Sequence, residues 1–98
     1  MKKLVVLGAQ GSGVGAARLA RQRGLDVFVS DNGAVKPAYR DELKSLGIAF
    51  EEGGHTAARV LEADEVVKSP GIPDTASLVR AVREKGIPVI SEIEFAYR

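Results

Sequence analysis

Apolar runs of three or four residues alternate along this chain with segments whose apolar positions repeat every three or four residues. Leu4-Val5-Val6-Leu7 is a continuous apolar run ending in glycines, the pattern of a strand buried on both faces. Val14 to Arg23 follows with helical periodicity. Val14, Ala17, Leu19 and Ala20 form an apolar stripe, Arg18, Arg21 and Arg23 lie on the wet side, and Gly24 stands where a helix stops. Val27-Phe28-Val29 predicts a second strand, closed by the turn-forming cluster Ser30-Asp31-Asn32-Gly33. Pro37 opens a helix to about Leu46, stopped by Gly47, and Ile48 to Glu51 is a weaker third strand. Thr56 caps a short helix reaching Ala63, and Val66-Val67 marks a fourth strand broken by Pro70-Gly71-Ile72-Pro73. Asp74 or Thr75 caps a helix through Lys85, with Leu78, Val79 and Val82 inward and Gly86 as its stop. Ile87 to Ile90 is the fifth strand, and Glu92 to Arg98 opens another helix.

Strands and helices alternating with such short links predict an α/β fold, a Rossmann-like open five-stranded parallel sheet with helices on both faces and right-handed crossovers. With 98 residues and no internal boundary or repeat, one domain covers positions 1–98. A formal net charge of +1 leaves no basic excess, so neither nucleic acid nor a membrane is expected as an electrostatic partner. The absence of cysteine and the presence of one histidine, His55, exclude thiolate and multi-histidine metal sites. The N-terminal apolar run is too short for a signal peptide or a bilayer span, which predicts a cytoplasmic protein.

The chemistry suggested by the chain lies in its loops. Strand, glycine-rich turn and helix place free N–H groups and the positive end of a helix dipole where an anion can sit. Here the turn reads Gly8-Ala9-Gln10-Gly11-Ser12-Gly13-Val14-Gly15. A dinucleotide fingerprint has glycine at its first, third and sixth positions. Gly8 and Gly13 fill the first and sixth, but Gln10 occupies the third, with Gly11 restoring room one residue later and Ser12 adding a hydroxyl. Asp31 ends the second strand about 20 residues on, where such folds hold a ribose. The same glycines would serve a tight turn and close helix packing, and Asp31 would equally serve as a turn residue. Lys68-Ser69-Pro70-Gly71-Ile72-Pro73 falls at the same edge of the predicted sheet, either as a ligand-facing loop or as a rigid turn. His55 reads as a solvated or capping residue in a polar loop. Glu51 and Glu52 point to opposite faces of a strand and cannot pair. No nucleophile–base pair and no GxxxxGK[ST] loop is present, so the residues predict a binding domain without catalytic residues.

Four segments together resemble the N-terminal domain of the Mur ligases, the ATP-dependent enzymes that add amino acids to the peptidoglycan precursor. These are Leu7 to Gly15, Val29-Ser30-Asp31, Asp64 to Pro73 and Gly86 to Phe95. Ser69-Pro70-Gly71-Ile72 followed by Glu92-Ile93-Glu94 is most similar to the D-glutamate-adding branch. The resemblance implies binding of the UDP part of UDP-N-acetylmuramoyl-L-alanine, with Gly11, Ser12 and Gly13 at the diphosphate. Asp31 and Asn32 would meet the uracil, and Ser69, Pro70 and Gly71 would lie along the nucleotide. Relatives often carry a basic or bulky residue near Gly33, from which this sequence departs. The resemblance further implies that ATP and Mg2+ are held by central and C-terminal domains lying outside the chain, with no cofactor in this one. On that expectation the chain is an excised or engineered domain without ligase activity of its own. An NAD(P)-binding domain of an oxidoreductase and a ligand-free α/β scaffold remain as alternatives.

Overall fold

The computed structural model describes residues 2–73 and 75–97. Five strands and five helices alternate: β1 (Lys3–Leu7), α1 (Gly11–Gln22), β2 (Asp26–Ser30), α2 (Pro37–Ser45), β3 (Ala49–Glu51), α3 (Ala57–Val60), β4 (Glu65–Lys68), α4 (Ser77–Glu84), β5 (Val89–Ser91) and α5 (Glu92–Ala96). All pairings are parallel, in the order β3-β2-β1-β4-β5. The predicted open five-stranded parallel sheet is therefore the observed one. From β1 the chain moves outward through β2 to β3, then crosses to the other side for β4 and β5. The switch point lies between β1 and β4, where ligands of open α/β sheets bind.

Successive residues of a strand face opposite ways, and both faces of this sheet are covered. Leu4, Val6, Val27, Val29 and Val67 meet α1, α2 and α5 through Val14, Ala17, Leu43 and Phe95. Val5, Leu7, Phe28 and Val66 meet α3 and α4 through Val60, Val79 and Val82. Register aligns the last residue of every strand in one row, Glu51-Ser30-Leu7-Lys68-Ser91. The loops that follow this row form the carboxyl edge.

Several element ends differ from the sequence reading. α1 begins at Gly11, three residues before the apolar stripe, because its first turn lies over the sheet edge and needs little side-chain burial. α4 starts at Ser77 with Ala76 as its cap. Thr75 is not the cap, since Ala76 N–H bonds Pro73 O and carries the turn one residue further; Asp74 lies outside the described residues. α3 stops at Val60, short of Ala63. β5 runs Val89–Ser91 because Pro88, which has no N–H, only contributes its carbonyl to Val66 N–H. The last helix takes Ser91 as cap, its Oγ accepting from Glu94 N–H at 3.0 Å.

Candidate functional site

The glycine loop is held by contacts at three of its positions. Gly8 has φ +106°, a conformation that disfavours side chains, and a Cβ there would lie 2.7 Å from Ser69 Cβ. A Cβ on Gly13 would fall 1.9 Å from Gly8 O. These two glycines bring α1 against β1 and bring the β1–α1 loop against the β4–α4 loop. Gln10 has φ −85° and caps α1 without a side-chain bond, so its backbone needs no glycine. The first intrahelical bond is Val14 N–H to Gln10 O at 2.9 Å. The N–H groups of Gly11, Ser12 and Gly13 consequently have no partner within the helix and open towards the carboxyl edge. Tyr39 of α2 stands over them, with its hydroxyl 3.1 Å from where a Gly11 Cβ would be.

Asp31 ties the loops together. Its Oδ2 accepts from Ala9 N–H at 2.7 Å and its Oδ1 from Gly33 N–H at 2.8 Å. The second bond is the turn role that its sequence context suggested, while the first joins the β2 turn to the glycine loop. Across the switch point, Ser69 N–H bonds Leu7 O at 2.9 Å and Ile72 N–H bonds Ser69 O at 3.0 Å. Lys68 Nζ donates to Ile72 O at 2.5 Å and closes this turn from below.

Between these loops lies a cleft of about 370 Å³, lined by Asn32 and His55 on one side and by Gly71, Ile72, Pro73 and Ser77 on the other. His55 is not a solvated loop residue: it is half-buried and its Nδ1 lies 2.6 Å from Ser30 Oγ. Ser30 is fully buried and donates to Glu51 Oε2 at 2.8 Å. Glu51 also accepts from Thr56 N–H at 2.8 Å and from Thr56 Oγ1 at 2.6 Å. Thr56 thus occupies the cap position of α3 while its hydroxyl serves Glu51 instead of the helix. Burial opposes the Glu51 charge, but the Thr56 N–H and hydroxyl, the Ser30 hydroxyl and nearby Arg59 outweigh it and hold the carboxyl below its ordinary range. Glu52, just past the end of β3, accepts from Val35 N–H and Arg40 and is likewise lowered, chiefly by the Val35 bond.

All eight predicted site residues stand at the carboxyl edge, but they do not converge equally. Gly11, Ser12 and Gly13 form the first turn of α1, and of the eight only Asn32 and Gly71 line the cleft. Asp31 is committed to backbone N–H groups of the loop, and Ser69 is packed against Gly8. Ser12 lines a separate groove against α5, and Pro70 lines one beside β5. Sequence reasoning passed over Ser30 and Tyr39, and it read His55 as a solvated or capping residue without its contact to Ser30. Ser30 and Glu51 each end a strand, and that shared register was the available signal; nothing local marks Tyr39.

Comparison with known proteins decides the family. The family model of the Mur ligase MurD-like N-terminal domain matches residues 2–91. The chain belongs to that family. Similar proteins include a UDP-N-acetylmuramoylalanine--D-glutamate ligase of Bacteroides fragilis, 59% identical over 98 residues and 100% of this chain. The ligase of the same name from Porphyromonas gingivalis is 58% identical over 95 residues, 97% of the chain. The chain spans 22% and 21% of these relatives' lengths. Among solved structures, a murein peptide ligase from Psychrobacter arcticus superposes with a TM-score of 0.85 at 25% identity, over 97% of this chain and 20% of that one. In this Mur ligase domain, the first turn of α1 and the β4–α4 loop both stand at the carboxyl edge beside the switch point. Among the described residues no helix is long and apolar enough to cross a membrane.

Proposed function

We propose that this chain is the UDP-binding domain of an ATP-dependent UDP-N-acetylmuramoyl-L-alanine:D-glutamate ligase of peptidoglycan synthesis. The observation that carries the reading is the apposition of the glycine loop and the Ser69 turn across the switch point, fixed by Gly8 against Ser69. A diphosphate fits there because the N–H groups of Gly11, Ser12 and Gly13 supply donors at the positive end of a 12-residue helix. The nucleoside then extends into the cleft between Asn32 and Gly71. Asp31 acts mainly by holding Ala9, and with it the loop, in position.

Formation of an acyl phosphate and attack by the D-glutamate amine need ATP and Mg2+. Among the described residues no group of three or more His, Asp or Glu could hold a metal ion. ATP, Mg2+ and the amino acid are assigned to other parts of the ligase, which its relatives' length provides for. The domain's own work is to bind and orient the precursor. Calorimetric titration with UDP and, separately, NADH tests this. Saturable UDP binding without NADH binding is expected; NADH binding without UDP binding would transfer the loop to a nicotinamide cofactor.

A further inference from the structure

His55 has two ring nitrogens in different circumstances. Nδ1 faces Ser30 Oγ at 2.6 Å, and the single hydroxyl proton of Ser30 is directed at Glu51 Oε2 at 2.8 Å. Were that proton given to the imidazole, the Ser30 oxygen would face the Glu51 carboxylate with no hydrogen between them. The arrangement is satisfied when Nδ1 carries the hydrogen and donates to Ser30. In the neutral ring Nε2 is then a bare acceptor. It makes no hydrogen bond to the described residues, and the imidazole lines the cleft together with Asn32 and Ser77. Glu51 is itself locked by both donors of Thr56, so the chain Thr56–Glu51–Ser30–His55 fixes the ring's tautomer and orientation. A histidine kept only for packing would not need three polar residues behind it.

We propose that His55 is a specificity-determining residue that reads the pyrimidine in this cleft, its Nε2 accepting the N3–H of uracil. This inference rests on the UDP reading above. Uracil offers one donor on its outer edge, N3–H, between two carbonyl acceptors. The Asn32 amide, on the same side of the cleft, supplies the complementary donor for a carbonyl. Cytosine presents a lone pair at N3, which would face the Nε2 lone pair and leave both acceptors unsatisfied. The cleft would therefore discriminate between two pyrimidines of nearly the same shape, by a repulsive contact as well as an attractive one.

The test compares UDP and CDP by calorimetry on the unmodified chain and on His55→Phe, which keeps a ring but removes the acceptor, in mildly alkaline buffer. The unmodified chain should prefer UDP by about tenfold, the scale of one lost hydrogen bond. In His55→Phe the ratio should fall to within about twofold of unity. A tenfold preference retained by His55→Phe overturns the proposal, as does an unmodified chain that binds both equally. Because His55 is the only histidine, its ring nitrogens can also be followed in the unmodified chain, even if the variant does not fold. UDP, and not CDP, should shift Nε2 while Nδ1 keeps its hydrogen. A stationary Nε2 accompanied by shifts at Asn32 and Gly71 overturns this inference alone. No response to UDP anywhere overturns the UDP reading with it.

Discussion

Gly13 carries the tightest constraint at the site. Any side chain there meets the carbonyl oxygen of Gly8, a backbone atom that cannot rotate aside. Gly13→Ala should destabilise the fold by about 3 kcal/mol, the scale of overpacking against backbone. Urea denaturation checks this, and an unchanged midpoint would show that the loop is free to move. Asp31→Ala removes two backbone-to-carboxylate bonds and should cost about 2 kcal/mol. It should also weaken UDP binding, because Ala9 and the loop lose their tether. Both effects come from a residue whose turn role was legible in Ser30-Asp31-Asn32-Gly33, whereas its bond to Ala9 was not. That bond joins residues 22 positions apart and depends on β1 and β2 lying side by side in register. The Gln10 departure was visible too, but its consequence for the backbone needed the φ angle, which is one that any residue adopts. His55 was misread for a related reason: Ser30, its partner, is 25 residues away.

At the scale of elements, apolar periodicity located every strand and helix and missed mainly their ends. A helix start over the sheet edge, as in α1, is set by tertiary position more than by burial. α5 shows another consequence of packing. Glu92, its first residue, is buried against α1, and neither carboxylate oxygen has a hydrogen-bond partner among the described residues. The helix N-terminus offsets only part of that cost. Glu92→Met should therefore stabilise the domain by about 1 kcal/mol, read as a raised unfolding midpoint; a lowered one would reveal a partner for the carboxylate. The β3–α3 connection makes a different prediction. Glu51 and Glu52 both titrate below the ordinary glutamate value of 4.5 when folded. The unfolded chain therefore binds more protons at acid pH. Their stabilisation is complete above the unfolded value and is lost as pH falls through the folded one. Urea midpoints should fall on acidification below about 4.5, less steeply in Glu51→Gln. Equal slopes for the two proteins would remove Glu51 from the account.

For the whole molecule, the strand order places its loops to better effect than any single motif could. Two outward walks of the chain from β1 leave a gap at the switch point, and the glycine loop and the Ser69 turn meet there. The alternation of elements predicted the parallel sheet and put both loops at its carboxyl edge, but the strand order that makes them meet came only with the structure. What the alternation could not give was the division of labour at the edge, where some predicted residues face the cleft and others hold its walls. On the proposed reading the domain binds the precursor and leaves acyl transfer to other parts of the ligase, so the 98-residue chain should hydrolyse no ATP in response to D-glutamate. Any such hydrolysis by the purified chain would place catalytic groups where none have been assigned. The most direct measurement of the central claim is residue-by-residue chemical-shift mapping during titration with UDP. Saturable shifts should concentrate at Gly11 to Gly13, at Asp31 and Asn32, and at Ser69 to Gly71. Shifts confined elsewhere, or a spectrum that UDP leaves unchanged, would contradict it.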